Sequence, residues 1–210
     1  LFDASLHKYR EIDIDLPAGD GTTRTIIDEA AGLPAPALLL LNDADHTYAK
    51  IRFDETSLDT AGERLTEIED ELTRAVIWTA LWNLTRDGEM SAIDYLGVVV
   101  KHEAYETNTT LLAAACANAN FAIAHYVADA DREQVRTDYA EAIWAIWTRP
   151  NQPRTPSLYS LAPPSAHSPQ RRRNQAPRAL RPCSPVTLPA FAWTPKSAGP
   201  SCAHSRPAMP

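Results

Sequence analysis

The chain has 210 residues, 44% of them hydrophobic, and a formal net charge of −7. That length suits one domain with a core, or one domain and an appendage. Three cysteines, Cys116, Cys183 and Cys202, form no C-x-x-C pair, which argues against a disulfide-stapled secreted domain and against a cysteine-rich zinc module. No run of about 18 apolar residues is present, so no membrane span is expected. The overall charge hides a division. Residues 1–148 hold all 27 acids against 11 Lys or Arg, a balance of −16. Residues 149–210 hold nine Lys or Arg, no acid, and 14 of the 17 prolines. A shift this sharp marks a boundary.

In chain order, "LHKYREIDIDL" at 6–16 alternates polar and apolar residues, the period of a half-buried strand. "PAGDG" at 17–21 reads as a turn and "TTRTIIDE" at 22–29 as a returning strand. "PALLLLN" and "TYAKIRF" are two further strand-like runs. Residues 1–53 are therefore expected to be the final strands of an antiparallel β-sandwich whose earlier strands are missing. The chain opens at Leu1 without an initiator Met or a signal peptide, so it reads as a fragment, placed in the cytoplasm.

After Phe53 the period becomes helical. Segments 57–69 and 71–86 are amphipathic, and Gly88 is a stop signal for the second. Ser91 with Asp94 resembles a capping box opening a helix through about Ala104. "ETNTT" breaks that helix, "LLAAACANANFAIAHYVA" makes a fourth, and Asp129 or Asp131 can cap a fifth ending at Trp147. Five helices joined by short loops predict a mainly α-helical bundle or solenoid over 54–148, giving an α+β fragment overall. The tail, 149–210, is too rich in proline for sustained helix or central strand and reads as disordered or as an out-of-frame product.

One motif invites a metal. "HEAYE", His102 to Glu106, begins like the zinc signature H-E-x-x-H but carries Glu at its fifth position. His125 follows after eighteen intervening residues, so His102, Glu106 and His125 would supply two His and one Glu. The break at "ETNTT" spoils the i, i+4 geometry, and the expected reading is a solvated helix end. Trp78, Trp82, Trp144 and Trp147 are expected in the core. Asp43, Asp45 and His46 lack the glycine and terminal Glu of a calcium loop and read as a turn. Cys116 reads as an inert core residue. "QRRRNQAPRALRP" at 170–182 could bind nucleic acid only nonspecifically.

The stretch "LLLLNDADHTYAKIRFDETSL", Leu38 to Leu58, resembles the junction between β-sandwich and C-terminal helical domain in the aminopeptidase N family of zinc metallopeptidases, in its actinobacterial branch. Asn42, Asp43, Asp45, Tyr48, Ala49, Lys50, Arg52, Asp54 and Ser57 fit its pattern. "LTRAVIWTALWNLTRDGEMSAIDYL" continues the match to the family's "R---W-ALWDMTRD-E----DY", and Glu106-Thr107 matches a following "ET". The resemblance implies a parent enzyme that releases N-terminal residues from peptides using zinc held by two His and one Glu. It also implies a G-x-M-E-N loop for the substrate's amino group. Neither H-E-x-x-H nor G-x-M-E-N occurs here, so no catalytic, cofactor-binding or metal residue is assigned to this chain, and zinc belongs to the parent alone. The implied role is to help enclose a peptide-binding chamber beside the missing catalytic domain. The alternative is a noncatalytic helical module that binds peptides or a partner protein. Neither membrane nor specific nucleic acid is expected as a partner.

Overall fold

A computed structural model describes residues 1–15 and 24–148. Five α-helices account for most of residues 55–147: α1 (Glu55–Arg64), α2 (Glu71–Arg86), α3 (Ala92–His102), α4 (Thr109–Tyr126) and α5 (Arg132–Trp147). Their starts follow from side-chain oxygens that satisfy otherwise unpaired N–H groups. Asp54 accepts from the amide of Ser57, Asp70 from Thr73, Ser91 from Asp94, and Asn108 from Thr110 and Leu111. The Ser91 hydroxyl also donates to the Asp94 carboxylate at 2.7 Å. Asp131 occupies the N-cap position of α5 without a side-chain cap bond, while Asp129 pairs with Arg132. Gly88, with φ of +77°, ends the turn after α2 in the left-handed region open to glycine.

The helices form a bundle around α3, which packs against α1, α2, α4 and α5. Its residues Tyr95, Leu96, Val98 and Val99 are fully buried and meet Ile77, Trp78 and Leu81 of α2 with Ala115, Ala119 and Ile123 of α4. Small residues on α4 let it approach α3 closely, and dispersion over that contact stabilises the pair.

The expected β-sandwich strands are not borne out. Among the described residues, pairing is limited to isolated bridges, Phe2 with Lys8 and Phe2 with Leu38. Residues 28–30 form a single 3-10 turn at the end of the run read as a returning strand. The backbone of "PALLLLN" divides its partners between Phe2, which bonds to Ala37 and Leu38, and α1: the Leu39 amide donates to Ser57 Oγ at 2.8 Å and Thr60 Oγ1 donates to the Ala37 carbonyl at 2.8 Å. With those groups satisfied by one bridging residue and two helix side chains, no extended ladder forms. The alternation in "TYAKIRF" is real but faces α2: Ile51 joins the core, while Lys50 and Arg52 reach outward to acids. The turn cluster 17–21, the tail 149–210 with its basic run 170–182, Cys183 and Cys202 lie outside the described residues.

Candidate functional site

The turn joining α3 to α4 carries the "HEAYE" motif, and its charged residues are buried, not solvated as the sequence suggested. Glu106 is 3% exposed and faces Arg74 of α2, itself 4% exposed. Arg74 Nη2 donates to Glu106 Oε1 at 2.9 Å, and Nε lies 3.1 and 3.2 Å from the two carboxylate oxygens. The remaining guanidinium donors are also used: Nη1 donates to the carbonyls of Ile68 and Glu69 at 2.8 and 2.9 Å. Trp78 Nε1 donates to Glu106 Oε2 at 3.2 Å, and the Asn108 amide donates to Oε1 at 3.0 Å. Each charge therefore meets an opposite charge and further dipoles. Such a pair is tolerable in an apolar interior when its hydrogen bonds are this complete.

His102 is 2% exposed and has both ring nitrogens engaged. Nε2 lies 3.0 Å from the Gly62 carbonyl, which can only accept, so Nε2 carries the proton. Nδ1, 2.9 Å from Thr66 Oγ1, then accepts from that hydroxyl. Desolvation lowers the His102 pKa and keeps the ring neutral. His125 lies apart on the exposed surface of α4, its ring centroid 4.3 Å from that of Phe121. Zinc would need a free nitrogen lone pair on His102 and a free carboxylate on Glu106, and neither is available. These residues do not fit the metal. Among the described residues, no group of three or more His, Cys, Asp or Glu is arranged to hold one.

Glu103, the next residue, is 6% exposed. Its Oε1 accepts from Trp147 Nε1 of α5 at 2.9 Å, while Oε2 has no hydrogen-bond partner among the described residues. Burial pushes its pKa up to about 7. Burial, then the nearby Glu103, push the Cys116 thiol up to about 12, so it is a thiol and not a nucleophilic thiolate near neutrality. Burial also raises the phenols of Tyr95 and Tyr139. A carboxyl, a thiol and two phenols that all favour their neutral forms make a poor nucleophile–base arrangement.

The segment before α1 is fastened by polar contacts. Asn42 and Asp45 have positive φ, and the Asn42 side chain closes the turn by donating to the Thr47 carbonyl and accepting from the Thr47 amide. Asp43 accepts from Thr73 at 2.7 Å and pairs with Lys8 at 2.8 Å. Lys50 pairs with Asp87, and Arg52 with both Asp87 and Glu89. A shallow groove of about 110 Å³ lies between this segment and α2, lined by Asn42, Asp45, Leu72, Val76 and Thr79 among others. Its size admits a single side chain, well short of a ligand pocket.

Of the tryptophans expected in the core, Trp78 is buried and Trp82 packs at 5.4 Å from Tyr95. Trp144 is 70% exposed. The Arg74–Glu106 pair was not singled out from the sequence as a site. The signal was nonetheless present, since Arg74, Trp78, Glu106 and Thr107 all stand at positions of the quoted resemblance, and Arg74 Nη2 also reaches Thr107 Oγ1 at 3.3 Å.

Residues 38–161 match the family described as ERAP1-like C-terminal domain. A relative, Aminopeptidase N of Streptomyces lividans, is 36% identical over 121 residues, which cover 58% of this chain and 14% of the relative. The chain thus spans a small part of the length of the curated protein it matches.

Proposed function

The chain belongs to the ERAP1-like C-terminal domain family and represents a C-terminal portion of an aminopeptidase N; on that premise we propose that it serves as the noncatalytic helical scaffold of a zinc-dependent enzyme that releases N-terminal amino acids from peptides. Residues 54–148 would be the opening helices of that domain, which helps enclose the peptide chamber. Zinc and the amino-group anchor would come from the catalytic part, and the enzyme would be cytoplasmic. Among the described residues, no helix is long and apolar enough to cross a membrane.

The observation that carries this reading is where the matching residues go. Arg74, Trp78 and Glu106 tie α2 to the α3–α4 turn, and Lys50 and Arg52 tie the entering segment to Asp87 and Glu89 beyond α2. These residues hold elements together, and the Arg74 and Glu106 groups are taken up by one another and by neighbouring donors and acceptors. The test is a chimera in which residues 38–148 replace the matching segment of the Streptomyces lividans protein. Retained release of N-terminal residues from peptides is expected; a folded chimera without activity would count against the proposal. The isolated chain is expected to hydrolyse nothing, with or without added zinc.

The charge of −16 over residues 1–148 favours a second reading, a helical module binding cationic peptides or a partner protein. Equal, micromolar-range affinity for peptides with free and blocked N-termini would support it over the scaffold.

A further inference from the structure

Glu103 combines three features that the scaffold role does not use. It is more than nine-tenths buried, one carboxyl oxygen lacks a partner among the described residues, and the other makes one hydrogen bond, across to the last turn of α5. We propose that Glu103 is a proton-gated latch: as a neutral carboxyl it stays buried and holds Trp147, and on losing its proton it moves toward water and releases the C-terminal turn of α5.

Among the described residues, every element packed around it leaves the carboxylate without a compensating cation. From α3, Lys101 turns away to Glu63 of α1, and the neutral His102 ring points to Thr66 and Gly62. On α2, the Arg74 guanidinium is taken up by Glu106 and the backbone. α4 presents Cys116 and α5 presents Tyr139; burial is the main reason both pKa values are raised, and the Glu103 charge adds to it in each. Tyr95 of α3 faces the same cluster through Tyr139. Among the described residues, only the Trp147 N–H favours the charged form. A lone buried carboxylate with one donor is costly; the neutral acid, even with its O–H lacking an acceptor among the described residues, costs less.

The sign follows from linkage. The folded state holds the Glu103 proton up to about pH 7, while the unfolded chain releases it near the ordinary value of 4.5. The contribution is therefore complete below about 4.5 and is lost as pH rises through about 7. His102 acts oppositely, because its lowered pKa makes the fold lose stability as pH falls through the ordinary range of 6.5. A global unfolding curve would mix the two, so the readout must be local.

The test follows the Glu103 carboxyl carbon and the Trp147 indole N–H by NMR between pH 4 and 9. The expected result is a shared midpoint near 7, with weaker hydrogen-exchange protection at the end of α5 above it. In Glu103→Gln, Trp147 should no longer titrate and α5 should stay protected at high pH. Trp147→Phe removes the one donor, so its Glu103 midpoint should move upward; this variant keeps the test decisive if Glu103→Gln does not fold. A Glu103 midpoint in the ordinary carboxylate range, or α5 protection independent of pH in the unaltered chain, would overturn the latch.

Discussion

The two halves of the described chain are held by different physics. Residues 24–54 have little regular structure: Leu38, Leu40 and Ile51 insert into the helical core, and the backbone between them is fixed by a few polar anchors, Ser57 and Thr60 on the backbone at 37–39, the Asn42 turn, and ion pairs from Lys50 and Arg52. The helices α1 to α5 supply most of the main apolar core, which is crossed by the buried Arg74–Glu106 network. Polar anchors at the surface are individually weak, whereas a buried pair is severe to break once formed. The comparison teaches where each half is vulnerable.

The largest effect should come from Arg74→Ala. It leaves Glu106 charged and buried at 3% exposure and frees the Ile68 and Glu69 carbonyls. A loss of about 3–5 kcal/mol is expected in urea unfolding. Replacing both partners by apolar residues should cost less than the sum of the two single changes, though the Trp78 and Asn108 N–H groups would still lose their acceptor. Next comes Ser57→Ala, which removes the acceptor for the Leu39 amide at a nearly buried position; about 1–2 kcal/mol is expected, with exchange at Leu39 accelerated. Smallest should be Arg52→Ala. Its pairs with Asp87 and Glu89 are solvent-accessible, so a cost below about 1 kcal/mol that shrinks further in high salt is expected.

The helices were legible because a 3.6-residue period and capping residues act locally, and the Ser91 box and the Gly88 stop both lie where their chemistry requires. The strand-like runs misled for a physical reason. Alternation reports half-burial, not what does the burying, and Leu38, Leu40 and Ile51 join a core built from helices. Saturation of His102 was invisible for a similar reason: its partners, Gly62 and Thr66, lie at least 36 residues away and carry no motif. Trp144 was misplaced because its spacing with Trp147 suggested a shared inward face, whereas only Trp147 turns toward Glu103. The Arg74 network lay within the resemblance, but pattern positions alone do not tell scaffolding from chemistry.

The most direct test of two differently held halves is residue-resolved hydrogen exchange of the whole chain under native conditions. Amides of α2 and α3 facing Leu81 and Leu96 should exchange through the slowest opening, while those of residues 36–53 should open at distinctly lower free energy, Leu39 excepted. Equal protection across both regions would contradict the account, because it would mean that the few anchors of the entering segment suffice to make it open only with the helices.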